Sequence, residues 1–386
     1  MSILPSRSRR ESAYRARAYI CFKHPRLIII TMESDRFERV MTVINREVPD
    51  RVPWSVWGHF PAVNWLDYYS WEKANRDGEE AAKAHMALLR ELDYKMDLLK
   101  VTPFYRFMAY HWGSKFLWED NDESPRTTEV CVKQSEDWEK LWVLDPKKEL
   151  REYIRTNEIL SRDLRNVPFI YTIPSPIIQA MNGIGTPERV LEDMKDNPDS
   201  LKQGLDTITE TTIDFTKACI DAGATGIFLG IGGGGRIWKE FTVPQLDEYA
   251  YGYDKKVLDA VDCDIKMMHI CSTSQGSPKD QNLMESGWFR KYPVDMINWD
   301  AHAYTWLDKG KKIYGDKFAI CGGLDRGHSM RKGDIPAIEA DVKMAIEDAG
   351  ERGGFMLGPG CTVYQDMPRK SYNAVGRAVI KHGYYK

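Results

Sequence analysis

The sequence predicts an α/β chain closed into a (β/α)8 TIM barrel, with an insertion after the second strand. Two observations carry that expectation. From Met32 onward, short apolar, β-rich runs alternate with amphipathic helical patterns, and strict alternation of this kind predicts a parallel sheet. The runs number eight, and eight β-then-α units in one chain of 386 residues most simply close on themselves.

Taken in order, the predicted strands are Arg51–Trp57, Lys95–Thr102, Val167–Ile173, Thr225–Gly230, Asp264–Ile270, Val294–Trp299, Lys317–Cys321 and Gly354–Leu357. Helical patterns separate them at Gly78–Leu92, Pro198–Ala222, Pro244–Val261, Ile335–Ala349 and Met367–His382. Phe104–Leu144 breaks the rhythm: it is long, polar and aromatic (His111, Trp112, Trp118, Trp138, Trp142), with the alternating stretch Thr127-Thr-Glu-Val-Cys-Val132. It reads as the insertion, with a small hairpin, on the rim that carries barrel active sites; it is either a lid or partner surface, or a packing excursion.

Residues 1–31 stand apart. Seven basic residues from Arg7 to Arg26 are opposed only by Glu11 and lead into Leu27-Ile-Ile-Ile30. A secretory signal needs a longer apolar region and a small-residue cleavage site. The expectation is a disordered extension or an over-long start assignment, with Met32-Glu-Ser-Asp-Arg-Phe37 as the natural beginning and 32–386 as a single domain. A net charge of −3 gives no basis for nucleic-acid binding, and no apolar run reaches membrane-spanning length. Seven cysteines without a C-x-x-C pair point to a reducing, cytoplasmic setting in which they are thiols or ligands.

Function is concentrated at predicted strand ends. His269 and Cys271 close the segment Asp264-Ile-Lys-Met-Met-His-Ile-Cys271, and residues i and i+2 of a strand point the same way. Cys361 follows the last strand in Leu357-Gly-Pro-Gly-Cys361, so all three face the same mouth. One imidazole and two thiolates suit Zn2+, and three protein ligands leave a position open, as in a catalytic rather than a structural site. Each residue alone has a plainer reading, as a buried thiol or a satisfied rim histidine. Cys321 is a core or rim thiol, or a fourth ligand. Asp300 is the candidate catalytic carboxylate, able to orient His269, coordinate the ion or handle a proton; as a helix N-cap it would do none of these, and Asp325 divides the same way. The run Gly230-Ile-Gly-Gly-Gly-Gly235 lacks the spacing of a dinucleotide or P-loop motif and reads as a flexible rim loop. Trp57, His59 and Phe60, with Trp112 from the insertion, are candidate substrate contacts; Trp65, Tyr68 and Tyr69 add to an aromatic mouth suited to an aromatic, apolar or quaternary-ammonium ligand.

These residues resemble the uroporphyrinogen decarboxylase superfamily, and within it the cobalamin-dependent methyltransferase branch. The resemblance runs from Met32 to the C-terminus through Pro49-Asp-Arg-Val-Pro53, Ile297-Asn-Trp-Asp300, Gly322-Gly-Leu-Asp325 and Leu357-Gly-Pro-Gly-Cys361, followed by Pro368 and Asn373. Its most specific part is His-x-Cys with a distant Cys, the zinc signature of the methylcobalamin:thiol methyltransferases, matched by His269, Cys271 and Cys361. The resemblance implies transfer of a methyl group between a small donor or acceptor (a methoxylated aromatic, a methylated amine or a thiol) and a corrinoid, with the aromatic mouth favouring demethylation. There are two departures. The stretch Trp57-Gly-His-Phe-Pro61 lacks the arginines with which the decarboxylases grip substrate carboxylates, and Ser272 stands where the thiol methyltransferases commonly have glycine. Asp300-Ala-His302 begins like the D-x-H-x-x-G loop of a corrinoid domain, but Thr305 occupies the glycine position, so the corrinoid is expected on a separate partner protein. Rival readings are a decarboxylase-like lyase, a three-cysteine folate- or homocysteine-linked methyltransferase, which would need adjacent cysteines, and a non-catalytic ligand-binding barrel.

Overall fold

A computed structural model describes residues 35–58, 71–118, 125–164, 166–233, 235–271, 278–303 and 305–385. The expectations for residues 1–31, and those for His59, Phe60, Trp65, Tyr68, Tyr69 and Ser272, lie outside the described residues. Seven parallel strands make one sheet in the order β1 (Leu99–Val101), β4 (Phe169–Pro174), β5 (Gly226–Ile231), β6 (Ile265–Ile270), β7 (Met296–Trp299), β8 (Ala319–Leu324) and β9 (Phe355–Pro359). Between β1 and β4 the chain adds an antiparallel pair, β2 (Lys115–Leu117) with β3 (Arg126–Glu129), inside the stretch expected to hold a hairpin. Helices follow the strands as patterned: Pro198–Asp221, Ile335–Ala349 and Arg369–His382 are among them. The pattern read as one helix over Pro244–Val261 is broken by a π-helical turn at Leu246–Tyr251 before Gly252–Ala260.

The first of the eight predicted runs, Arg51–Trp57, is not a strand of this sheet, and the reason is local. Along an extended segment alternate N–H groups point to opposite sides. On one side Ser55 N donates to Leu357 O (3.0 Å) and Leu357 N to Pro53 O (2.9 Å), pairing the segment with β9. On the other side the donors go to side chains: Trp54 N to Asp97 Oδ2 (3.0 Å) and Val56 N to Met96 Sδ (3.2 Å). Pro53 has no N–H to give. Among the described residues only single bridges therefore form, Arg51 with Tyr384, Trp54 with Leu357 and Gly58 with Val363. The return bond from Asp97 N to Trp54 O (2.9 Å) and the Ser55 hydroxyl on Leu98 O (2.8 Å) tie the same segment to the strand-β1 side. One segment thus contacts both edges of the sheet, which must curl to allow it.

The concave face is filled from below. Helix α1 (Arg36–Ile44), capped by Asp35 accepting from Glu38 N, sends Val40, Val43 and Ile44 into a cluster with Leu98, Ile170, Ile265, Met267, Met296 and Met356. The strand residues of that cluster alternate along each strand, as period-2 geometry requires of one face. Beside it lies a buried ionic knot. Arg39 is bidentate to Asp50 (2.7 and 2.7 Å) and also reaches Asp97 Oδ1 (2.7 Å), while Arg51 meets the same Asp97 at 2.8 and 3.0 Å. Asp97 is fully buried and serves two guanidinium groups and one backbone N–H. Its removal would leave buried cations without their shared partner, which costs far more than losing a surface pair. Asp97→Ala is expected to lower the unfolding free energy by about 3–5 kcal/mol in urea titration; a loss of under about 1 kcal/mol, the range of exposed pairs, would show that the knot does not brace the sheet.

Candidate metal centre

Parallel register places the polar site in one row. Gly230, His269, Asn298, Cys321 and Met356 are successive Cα partners across β5 to β9, so their side chains share the concave face at one level. His269 and Asn298, neighbours in that row, bond through Nδ1 and Oδ1 at 2.7 Å. The roles are fixed by Asn298's other contacts. Its Nδ2 donates to Cys321 O (3.0 Å) and Pro359 O (3.1 Å), which spends both amide protons, so Oδ1 must accept and His269 Nδ1 must carry the hydrogen. The remaining lone pair of His269 is then on Nε2, available to a metal. Phe228 stacks on the ring at 5.2 Å and fixes its plane further.

Cys271 is set by the glycines before it in the neighbouring strand loop. Its N–H donates to Ile231 O (2.9 Å), and its carbonyl accepts from Trp238 Nε1 (2.8 Å). Gly232 has φ +97°, and a Cβ there would lie 2.2 Å from that carbonyl oxygen. The glycine run expected to be a flexible rim loop thus makes room for the Cys271 backbone at Gly232. Cys361 arrives through Gly358 and Gly360. A Cβ on Gly360 would sit 2.4 Å from the Asp300 backbone, and one on Gly358 would sit 2.7 Å from Cys321 Sγ.

One ligand atom each from His269, Cys271 and Cys361 lie within 4.8 Å of one another, and among the described residues this is the group of His, Cys, Asp and Glu side chains arranged to hold a metal. A tetrahedral zinc with Zn–S near 2.3 Å needs ligand separations of about 3.8 Å, so a contraction of about 1 Å suffices. The electrostatics fit as well: the thiol hydrogen bond with Cys271 holds Cys361 well below the usual thiol value against the effect of burial, and His269 and Arg326 add to that. A lowered thiol is the protonation state a zinc site requires, and the Nδ1–H bond to Asn298 leaves Nε2 as the nitrogen to meet a metal. Cys321, fully buried in the concave cluster with its thiol pushed up by burial, stands outside the group of three.

The other sequence candidates are placed as follows. Asp300 follows the end of β7; its Oδ1 accepts from His302 N (3.2 Å) and its Oδ2 lies 3.6 Å from Arg326 Nε. Burial and the Cys361 thiolate raise its pKa, while Arg326 opposes them. The orienting bond to His269, one of the roles open to Asp300, is made by Asn298. Asp325 Oδ1 accepts from Gly327 N (3.1 Å) and His328 N (3.0 Å), closing its own turn. Trp57 is buried on the concave face with its ring centroid 5.8 Å from that of Phe228 in a T-shaped contact, and its indole nitrogen has no hydrogen-bond partner among the described residues. Trp112 is buried in the outer core, donating to Trp142 O at 2.8 Å.

Two charged residues near the thiolates were not singled out by sequence. Lys100 is buried, donates from Nζ to Thr102 Oγ1 (2.6 Å) and lies 4.5 Å over the Phe228 ring. Burial brings it down to about 7, against the pull of the Cys361 and Cys271 thiolates. Arg326 donates to Thr362 O (3.1 Å), but its buried Nε has no hydrogen bond among the described residues. Burial alone would lower Arg326, yet the charges of Cys361 and Asp300 carry it above its ordinary value. Both lay within reach of sequence reasoning: Lys100 shares the strand phase of Leu98 and Thr102, and Arg326 directly follows the Gly322–Asp325 turn.

Comparison with known proteins gives three kinds of likeness. A family model described as uroporphyrinogen decarboxylase (URO-D) matches residues 35–382. Uroporphyrinogen decarboxylase from Syntrophotalea carbinolica is 25% identical over 247 residues, 62% of this chain and 67% of that protein. Methylcobamide:CoM methyltransferase MtaA from Methanosarcina barkeri is 24% identical over 217 residues, 54% of this chain and 57% of that protein, so the match spans little more than half of it. A methyltransferase from Methanosarcina mazei superposes with TM-score 0.76 at 17% identity, covering 90% of this chain and 99% of its own. A B12-independent methionine synthase from Shewanella sp. W3-18-1 follows at TM-score 0.56 and 11% identity, covering 86% and 98%. At those identities the structural likenesses speak for the fold. Substituting Asn298 by Ala is expected to free the His269 ring and weaken zinc binding about 10- to 100-fold in chelator competition, with the fold retained; unchanged affinity would mean that the ring is held without it.

Proposed function

The chain belongs to the uroporphyrinogen decarboxylase family, and from that premise we propose that it moves a methyl group between a small molecule and a corrinoid carried by a separate protein, with zinc held by His269, Cys271 and Cys361. The observation that carries this reading is the placement of those three donors together, from two strand ends, on one face of the sheet. The likeness to a methylcobamide:CoM methyltransferase supports the same chemistry. In this reading segment 51–58 takes the eighth place of a closed barrel, the stretch after β1 is an insertion on its rim, and residues 32–386 act as one domain.

Zinc bound there supplies Lewis acidity, lowering the pKa of an acceptor thiol or making the oxygen of a methoxy donor a better leaving group. The chain's own residues do the rest. Asn298 fixes the tautomer of His269, and the Gly232 turn fixes the Cys271 carbonyl. Trp57 and Phe228 form an aromatic path to His269 and keep water from it. That path supports the demethylase direction, with a methoxylated aromatic as donor and Trp57, His59 and Phe60 as contacts; Trp112, buried in the outer core, is left to packing. Asp300, raised by burial and close to Cys361, is the group to hold or deliver a proton. Among the described residues no helix is long and apolar enough to cross a membrane; we place the protein in the cytoplasm, with a corrinoid protein as partner and no nucleic acid.

Elemental analysis combined with a transfer assay tests the proposal. Purified wild type is expected to hold about one zinc per chain, lost in each of His269→Ala, Cys271→Ser and Cys361→Ser. The same variants are expected to lose demethylation of methoxyaromatics against a reduced corrinoid protein, or methylation of thiols from the methylated one. A wild type that refuses zinc after reconstitution, or that turns over porphyrinogen without metal, would sink the methyltransferase reading.

A further inference from the structure

Lys100 is a buried amine whose pKa burial lowers and that only the Cys361 and Cys271 thiolates, among the described residues, favour in its charged form. Its side chain is more than nine-tenths buried, and among the described residues no carboxylate pairs with it. Among the described residues its one hydrogen bond goes to Thr102 Oγ1 at 2.6 Å. Towards the ammonium that hydroxyl accepts, its own proton going to Gly58 O (3.4 Å) or Thr172 Oγ1 (3.3 Å), while Thr172 donates its proton to Val101 O (2.8 Å). An ammonium has three donors, so two are unspent. Leaving a buried charge in this state costs stability. Such a group is kept where something else uses it.

Charge counting says what that is. Two thiolates and a neutral imidazole match the two positive charges of zinc, so the loaded ligand set is neutral. Asp300 and Arg326 offset one another at 3.6 Å. Lys100, over the ring of Phe228 that also packs on His269 and Trp57, is when protonated a positive charge that no carboxylate among the described residues offsets. We propose that Lys100 is the counter-charge for an anionic group on the small-molecule substrate, so that the site takes acids (a carboxylate-bearing methoxyaromatic or thiol) in preference to their neutral isosteres. This rests on the zinc-site reading for its charge count, but the ammonium's unspent donors do not depend on the metal.

Calorimetric binding to the full chain, zinc-loaded and metal-free, tests it with two matched pairs: 3-methoxybenzoate against 3-methoxybenzamide, and 3-mercaptopropionate against 3-mercaptopropanamide. A charge-assisted hydrogen bond in a dry site corresponds to about ten- to a hundredfold in affinity, so wild type is expected to prefer the acid of at least one pair by that factor. Lys100→Met, close in length and uncharged, is expected to lose the preference, keep its zinc and melt at or above the wild-type temperature, because a poorly paired buried charge is gone. Three results would overturn the proposal: acid and amide bound alike or not at all, a preference that survives Lys100→Met, or a variant that melts lower and sheds zinc, which marks Lys100 as structural. Failure of the zinc reading shows separately, as absence of metal from a wild type whose metal-free form still separates acid from amide.

Discussion

The amide of Asn298 is the joint on which the site depends. Its two N–H groups are taken by carbonyls of Cys321 and Pro359, one on each of the next two strands, which pins the amide plane and leaves one oxygen to accept. That oxygen decides which nitrogen of His269 keeps its proton and so which one can meet a metal. The same three bonds stitch β6, β7, β8 and β9 together at the level where the ligands project. A change in the twist or register of any of these strands would therefore reach the metal ligands directly, because parallel pairing sets Gly230, His269, Asn298, Cys321 and Met356 side by side.

Below that level the molecule is built for stability and above it for chemistry. The lower concave face is apolar and closed by Val40, Val43 and Ile44 of α1, with Asp97 holding Arg39 and Arg51 in a fully hydrogen-bonded knot beside it. The upper face carries groups that, among the described residues, stand short of partners: the indole nitrogen of Trp57, a guanidinium nitrogen of Arg326 and the Lys100 amine. Unsatisfied polar groups cost free energy wherever they are buried. Such atoms also occur elsewhere in the fold, on Asn157, Gln179 and Trp288 among others, so it is the grouping of His269, Cys271 and Cys361 that marks this face as a site.

Much of this was legible in the sequence because the dominant signals are periodic. Seven apolar runs became strands within a few residues of their expected limits, and His-x-Cys at a strand end with Cys361 beyond another brought the three ligands together. Arg51–Trp57 has the same apolar composition but lacks a donor at Pro53 and loses two more to Asp97 and Met96, and composition alone does not reveal where an N–H is spent. Lys100 and Asn298 were passed over for a different reason. A lysine in a strand reads as solvent-facing, and an asparagine as turn-forming, unless its phase is compared with that of the apolar residues two positions away. In phase with Leu98 and Met296 respectively, both belong on the concave face. The role of Gly232 depends on a carbonyl in another strand, a tertiary contact that no local pattern encodes.

The most direct test of the central claim is X-ray absorption at the zinc edge of the loaded chain, before and after a thiol is added. A centre held by His269, Cys271 and Cys361 with one position open predicts two sulfur neighbours at about 2.3 Å and lighter atoms at about 2.0–2.1 Å. Added thiol should then raise the sulfur count by one at the expense of a light atom. A four-sulfur shell, a shell of oxygen and nitrogen alone, or a two-sulfur shell that no thiol alters would contradict an open zinc site built from these three residues.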